Sequence, residues 1–556
     1  MFFKYFVAVV IVIVLLPVSA LCGDGEEYNK YCSQCHGADR LGKTASPLLP
    51  PLLKKYSDQA LTKVIREGLP ATQMPSFPDT SDAEVKNIIS FVRSPATVKW
   101  DKSDILQSIT LNKTEINPVS IEQFKKIVDK KNITAVVERG RNKVWIMYND
   151  RAFDWFDFQN VHGGGKFSTD GKMFFIPSRD GWIGKYNLTD ERYYGKVRAC
   201  VNLRNISLSR DGKYILAACL MPQQIEILSA ADLSPVKTLE VPGRINAIYE
   251  TYSDDKALFT INEKPLIGKL NTIDFKIDYT TVECTFDDFF IDPLERYVVG
   301  TSRGKKLVIV YDLHTEKEVY RREMESMPHL APAAFWYSGG DFYFATPHIS
   351  KPTISVWKMY NWDMVKEIEI GGEGFFVKTT PKTPYLWIDN GSDKLVLLNK
   401  KDFSMREITP LKGKKATHTE FTGDGSIAMV SVFDPDGELV FYDSATLKEL
   451  KRVKAVLPVG KYNFVHKSRS YEKFQLGQEV FNVKCWGCHH TTREAFGPSF
   501  KWIVNNRDEG KIVAHIVDPE KSAKEQYSKT SAMPHLNLKK EELEVILRFM
   551  YEFKDN

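Results

Sequence analysis

The sequence predicts a multidomain chain: a small α-helical domain, an eight-bladed β-propeller and a second small α-helical domain. Three observations predict it. With 556 residues the chain is too long for one ordinary domain. Apolar residues at helical spacing dominate the two ends, 22–98 and 476–556. Between them, residues 130–475 repeat a turn signal followed by short alternating strands. The chain is 43% hydrophobic and 26% charged, which excludes a mainly disordered, collagenous or polytopic membrane protein. Aromatic residues make up 12%, favouring β-rich packing. The formal charge of +5 is small for this length and the basic residues form no long block, so no nucleic-acid partner is called for. Eight cysteines are too sparse for a disulfide scaffold.

At the amino terminus one lysine precedes the apolar run Tyr5–Leu21, and Val18-Ser19-Ala20 offers small residues at the positions a signal peptidase needs. Residues 1–20 therefore read as a signal peptide that delivers the product to the periplasm. Two alternatives place it at the periplasmic face of the inner membrane. The run is almost long enough to remain as an anchor, and Cys22 offers a site for a lipid, with Leu21 a poor fit before it. Residues 99–130 read as a linker or an approach to the first strand, with a short helix over Ser120–Lys131. The stretch 466–481 reads as a second connector that covers a domain surface.

Each helical end carries a CxxCH motif, Cys32-Ser33-Gln34-Cys35-His36 and Cys485-Trp486-Gly487-Cys488-His489. Two thiols on one helical turn can both reach the vinyl groups of a haem, and the adjacent histidine is then held against the iron. A redox CxxC pair or part of a zinc site are the other uses of such a motif. The surroundings favour haem. A leading helix over Glu26–Lys30 precedes the first motif, Met74-Pro75 follows His36 by 38 residues, and a helix over Asp82–Arg93 presents Val85, Ile88, Ile89 and Val92. In the second copy Met533-Pro534 follows His489 by 44 residues, and a helix over Lys539–Tyr551 presents Leu543, Ile546, Leu547 and Met550. Both ends resemble small class I cytochromes c. They imply two covalent haem c groups, on Cys32, Cys35, His36 and Met74, and on Cys485, Cys488, His489 and Met533. His490 and His535 are expected in surface or loop roles, His515 in local packing, and Trp486 over a haem edge.

In the middle region the turns recur as Ser168-Thr169-Asp170-Gly171-Lys172, Ser209-Arg210-Asp211-Gly212-Lys213, Asp292-Pro293-Leu294-Glu295-Arg296, Ser338-Gly339-Gly340-Asp341, Thr380-Pro381-Lys382-Thr383 and Thr422-Gly423-Asp424-Gly425-Ser426. Asp170 to Asp211 is 41 residues, Asp211 to Asp292 is 81 with a weaker copy at Ser253-Asp254-Asp255, and the next steps are 49, 41 and 42. The step of 49 predicts an insertion. About 345 residues at a period of ~43 give eight four-stranded blades, with seven close behind. Such a ring also serves as a binding platform or, with its own cofactor, as a calcium or quinone dehydrogenase. The sequence has no acidic loop dense enough for calcium, and two electron-transfer modules beside a redox-inert ring would have nothing to serve.

The stretches Val136-Val137-Glu138-Arg139, Asn160-Val161-His162, Pro177 to Gly181, Lys305 to Val310, Ala345-Thr346-Pro347-His348, Gly374 to Thr379 and Pro458 to Phe464 resemble the haem d1 propeller of the cytochrome cd1 family. The resemblance covers most of 20–475. It implies haem d1 or dihydro-haem d1 in the propeller, with His162 where the family's reductase places its proximal iron ligand. From the residues alone, His162 followed by three glycines leaves room for a flat ring beside the backbone; the plainer reading is a loop histidine bonded to a neighbouring blade. His348 matches a distal histidine of the reductase. The second distal histidine aligns at Thr380, whose hydroxyl cannot carry a proton near neutral pH. His418 has no counterpart in the reductase and matches the dehydrogenase-like branch as a ligand or pocket residue, against an alternative as propeller packing. His329 aligns near a pocket loop. His348, His418 and His329 are thus the candidate catalytic groups. Arg139, Arg179, Arg204 and Arg244 are candidates for the macrocycle carboxylates, with inter-blade ion pairs as the alternative. Cys200, Cys219 and Cys284 read as buried thiols, or Cys200 and Cys219 as a pair on adjacent strands.

Two family activities follow as expectations. The first is dehydrogenation of the propionate of dihydro-haem d1 to an acrylate, with electrons leaving through the c haems. The second is nitrite reduction to nitric oxide at haem d1. The histidine pattern places the dehydrogenase first, the reductase second and a d1 carrier or electron-transfer binding protein third. Expected partners are small redox proteins such as a cytochrome c or a cupredoxin, haem d1 biosynthesis proteins, nitrite as substrate in the reductase reading, and a second copy of the chain.

Overall fold

The computed structural model describes residues 25–69, 74–112, 130–188, 194–468, 471–527 and 530–555. The signal segment, Cys22 and most of the helix expected over Ser120–Lys131 lie outside the described residues. No helix among the described residues is long and apolar enough to cross a membrane.

Residues up to Val98 form one compact unit. Helix Glu26–Tyr31 leads into Ser33–His36, followed by Asp58–Glu67 and Asp82–Arg93. Ser81 caps the last by accepting from the Glu84 amide, while the Glu84 carboxylate accepts in return from the Ser81 amide. The face expected of this helix is the face it buries: Val85, Ile88, Ile89 and Val92 pack on Tyr28, Cys32, Leu53 and Ile65.

The second unit, Lys99–Asn556, holds the ring. Eight antiparallel sheets of four principal strands follow one another. Blade 2 begins at Lys166–Phe167, blade 3 at Asn202–Leu208, blade 4 at Ile245–Glu250, blade 5 at Asp288–Ile291, blade 7 at Val377–Lys378 and blade 8 at Ala416–Phe421. These first strands pack against one another around the axis, and each blade's fourth strand is its most exposed. Blade 1 closes the ring: its innermost strand is Pro458–Asn463, paired with Ile133–Glu138, so the two ends of the propeller share one sheet. In blade 6 the innermost strand is broken into Met327–Pro328 and Ala334–Ser338, both paired to Asp341–Ile349. The five residues between the pieces supply most of the excess in the step of 49.

The recurring turns join the first strand of a blade to the second. Asp170, Asp211 and Asp424 each accept from the hydroxyl two residues before, at 2.6–2.7 Å, and from the amide two residues after, at 3.0–3.1 Å. The following glycines sit at φ 68°, 71° and 74°, a conformation that excludes most side chains. A hydroxyl residue, Asp and Gly at fixed spacing therefore specify the turn chemically.

The segment 99–112 is not a free linker. Ile105 is fully buried on helix Lys102–Ser108, the Trp100 indole donates to the Arg198 carbonyl at 3.1 Å, and Thr110–Asn112 adds a fifth strand to blade 2. Cys200 and Cys219 are joined as a disulfide, with Cα atoms 6.1 Å apart, which corrects the reading of both as thiols; Cys284 is a free, buried thiol.

The expected connector at 466–481 is mostly helix Tyr471–Lys484, which runs into the second CxxCH motif. Helices Phe500–Asn506, Glu509–Val517, Pro519–Tyr527 and Lys540–Tyr551 complete this second helical part. On the last helix Val545 and Phe549 are buried with Ile546 and Met550, while Leu543 and Leu547 are only partly covered. The buried face is rotated from the expected one because this helix also seats on the propeller. The seat is a single apolar cluster joining Leu476, Val480, Phe481 and Phe549 to Phe290, Phe335, Tyr337, Phe342 and Trp362. Glu479 accepts from the Tyr337 amide at 2.5 Å and from Lys400 at 3.1 Å, Gln475 donates to the Phe335 carbonyl at 2.8 Å, and the Tyr337 hydroxyl donates to Glu542.

Candidate functional site

Both CxxCH motifs sit where a helix ends in a tight turn, and both histidines are oriented the same way. His36 Nδ1 donates to the Ser46 carbonyl at 2.6 Å, and His489 Nδ1 to the Pro498 carbonyl at 2.7 Å. Each bond fixes the tautomer and leaves Nε2 as the lone-pair nitrogen, the arrangement an iron ligand requires. Burial and the neighbouring Cys35 push the Cys32 thiol up to about 11; burial and Cys488 push Cys485 up to about 12. A redox CxxC needs the opposite shift. Cys485, Cys488, His489 and Met533 line one cavity of about 490 Å³, within the size of cofactor pockets. Gly497 is required there, since a Cβ would stand 2.5 Å from the His489 ring. His515 lines this cavity too, rather than only packing locally. His490 accepts two amides of its own loop and His535 is exposed, as expected. Trp486 is 65% exposed. In the first unit Met74 lies at the end of helix Asp58–Glu67, where its carbonyl accepts from the Leu69 amide at 3.3 Å and Gly68 leaves room for it.

In the propeller, the starts of the innermost strands gather the other candidates. The His162 amide donates to the Pro177 carbonyl, and Arg179 donates to His162 Nε2 at 2.6 Å. Its Nδ1 is buried without a well-aligned hydrogen bond, although the Arg204 backbone beside it favours the protonated form. Burial, then Arg179, Arg204 and Arg139, hold the His162 imidazole at about 3, so it is neutral, with its one lone pair on Nε2 facing Arg179 and its proton on Nδ1. Gly163, at φ 92°, brings this loop onto blade 3; a Cβ would meet the Arg204 carbonyl at 2.5 Å. Burial, Arg204 and Arg244 lower Arg179 to about 10, so these guanidiniums crowd one another. Four arginines concentrated on one spot want an anion with several carboxylates.

His329 stands at the break in the inner strand of blade 6. Its Nδ1 donates to the Phe375 carbonyl at 3.1 Å and its Nε2 lies 3.9 Å from Asp288. His418 sits on a bulge in blade 8 at φ 50°, its ring against Phe376 with centroids 3.6 Å apart. Burial, Lys461 and Arg139 hold it well below the ordinary histidine value. His162, His329, His418 and the four arginines therefore belong to one electrostatic neighbourhood, with Arg139 and Arg204 linking its sides.

His348 is not brought into it. It is fully buried inside blade 6, with Nδ1 bonded to Ser326 Oγ at 2.6 Å and Nε2 to Ser355 Oγ at 2.8 Å. The expected distal role gives way to a packing role. Thr380 is displaced as well. It lies in the turn after the inner strand of blade 7, at the far end from Phe376, so its replacement of a histidine has no bearing on the pocket. Sequence reasoning missed Asp288 and Lys461. Lys461 is 4% exposed, donates to Ser431 Oγ at 2.5 Å, and is lowered by burial to about 7. The motif Pro458–Phe464 contained it, but a lysine on a strand gives no sign that it points inward.

Comparison with known proteins places these features. The family model described as "Cytochrome D1 heme domain" matches residues 128–467. The chain belongs to the cytochrome d1 haem-domain family. A second model, "Cytochrome C oxidase, cbb3-type, subunit III", matches residues 25–92. The d1 propeller chain is 34% identical over 477 residues to the dihydro-heme d1 dehydrogenase of Pseudomonas aeruginosa, covering 81% of this chain and 96% of the relative. It is 22% identical over 513 residues to the nitrite reductase of Stutzerimonas stutzeri, covering 78% and 91%. A solved structure, dihydro-heme d1 dehydrogenase NirN in complex with DHE, superposes with a TM-score of 0.74 at 32% identity, covering 80% of this chain and 99% of that one. Neither family model reaches past residue 467.

Proposed function

We propose that this chain is a dihydro-haem d1 dehydrogenase that carries two covalent haem c groups. The observation that carries the reading is the histidine and arginine cluster at the mouth of a d1 propeller, in a chain 34% identical to a dehydrogenase of that substrate. The reaction converts a ring-borne –CH2–CH2–COO⁻ into –CH=CH–COO⁻, releasing two protons and two electrons. The ring's own iron and conjugation supply the electron-accepting chemistry when it is bound.

This chain's residues do the rest. His162, held neutral, is the iron ligand through Nε2, which exchanges its contact with Arg179 for the iron. Arg139, Arg179, Arg204 and Arg244 hold the carboxylates and set the ring's orientation. His418, kept neutral by burial and two cations, takes the proton from the propionate carbon. His329, beside Asp288, is the second proton acceptor. Cys32, Cys35, His36 and Met74 bind the first haem c, and Cys485, Cys488, His489 and Met533 the second. On this reading 22–98 and 476–556 are cytochrome c domains, and export to the periplasm follows from covalent haem attachment. The partners are haem d1 assembly proteins and small redox proteins.

The test is anaerobic incubation with dihydro-haem d1, extraction and mass measurement of the tetrapyrrole. A loss of two mass units is expected, with no nitric oxide formed from nitrite. An unchanged ring together with nitrite-dependent nitric oxide would instead make the chain a cytochrome cd1-type nitrite reductase. Binding without either would make it a carrier.

A further inference from the structure

The two candidate sites of the second unit, the histidine and arginine cluster and the Cys485–His489 cavity, lie toward opposite faces of the ring. In blades 2 to 8 the first strand leaves the face bearing His162, Arg204, Arg244, His329 and Phe376, and ends at the turn on the other face. The carboxyl-terminal helices sit on that other face. Their anchors are Tyr337, at the end of the inner strand of blade 6, and Gly340 and Asp341, in the turn after it, which receive Lys539 at 2.8 Å. Leu294 in the equivalent turn of blade 5, Tyr360 and Trp362 between the third and fourth strands of blade 6, and Lys400 at the same level of blade 7 complete the seat. All of these belong to the floor of the ring.

The separation follows from the topology. An inner strand such as Asn202–Leu208 spans about 20 Å. Helix Tyr471–Lys484 lies between that floor and the Cys485–His489 cavity and adds about 10 Å. Electron tunnelling decays exponentially with distance, so about 30 Å of packed protein excludes a single step at catalytic rates. The seat is also buried and hydrogen-bonded, and it does not let the domain swing to the other face. The far side of the cavity is open: Phe496, which lines it, is 78% exposed and Trp486 beside Cys485 is 65% exposed.

We propose that the carboxyl-terminal haem site is an intermolecular electron port: it exchanges single electrons with a separate redox protein across its solvent-facing edge, and not directly with the tetrapyrrole of its own propeller. The inference rests on the haem assignments above and adds a division of labour between the two CxxCH motifs.

The test uses the full chain as C32S/C35S, which keeps only the carboxyl-terminal haem c, loaded with haem d1 and reduced by a flash. Mass measurement first counts the covalent haems; a variant with none overturns both the haem assignment and the proposal. With one present, oxidation of the reduced tetrapyrrole by ferric haem c should be second order, its half-time falling tenfold with a tenfold rise in protein concentration. A first-order exchange independent of concentration would overturn the proposal while leaving the haem assignment intact. Pulsed EPR distance measurement in the unsubstituted protein gives an independent reading. It should place the carboxyl-terminal haem iron and the d1 iron about 30 Å apart, and a separation near half that would also overturn it.

Discussion

At the scale of single residues, two buried histidines answer different questions with the same physics. His162 and His348 are both held neutral, at about 3 and about 4 against an ordinary 6.5, burial being the first cause in each. Their folded-state values are lowered, so the unfolded chain binds these protons first. The stability that depends on neutral imidazoles is complete above pH 6.5 and is lost as the pH falls toward 4. Denaturant titrations of the apoprotein at pH 7 and pH 5 should show this loss. His348→Leu should lessen the pH dependence while costing about 1–3 kcal/mol at pH 7, because Ser326 and Ser355 lose their partner. That variant should still bind the tetrapyrrole, whereas His162→Ala should not. The sequence shows which residue types are present but not which way they point. His162, beside three glycines, advertised its loop. His348 sat in an equally good family motif and turned into the blade. Lys461 carried no signal, because depth within a ring depends on the neighbouring blade.

At the scale of elements, chemistry written within five residues was the most legible. The turns around Asp170, Asp211 and Asp424 were readable because hydroxyl, carboxylate and glycine satisfy one another locally. The hairpins that follow them were legible as short apolar runs, but their strands are buried on both faces rather than alternately. What depended on distant partners was less legible: the extra strand Thr110–Asn112 was not foreseen, the step of 49 predicted an insertion without locating it at 329–333, and the pairing of Cys200 with Cys219 stood only as the second reading. The disulfide closes a short loop, with a sequence separation of 19, and joins the segment before the inner strand of blade 3 to that blade's second strand. Cys200→Ser should lower unfolding free energy by about 3 kcal/mol relative to the oxidised protein. Reductant should lower the stability of the parent by the same amount and leave the variant unchanged.

At the scale of the whole second unit, the ring and its carboxyl-terminal helices behave as one body because their cores are continuous. Tyr337→Phe removes the donor to buried Glu542 and should weaken the seat by about 2 kcal/mol. Hydrogen exchange should then quicken in helices Tyr471–Lys484 and Lys540–Tyr551 and stay unchanged in blades 2 to 4. Blade number followed from arithmetic on the sequence, while the face that carries the helices did not. The choice of face is decided by Glu479, Gln475 and Glu542, which read as ordinary exposed polar positions until their partners are known.

The closing strand sets a timetable for biogenesis. Ile133–Glu138 waits for Pro458–Asn463, so a chain synthesised amino terminus first keeps one blade edge bare until more than 300 further residues have emerged. During that interval the first CxxCH segment is already complete. On the proposed reading a haem could be attached there while the ring is still unlatched, and a stalled or clipped chain lacking the last inner strand would be left with a bare edge prone to aggregation.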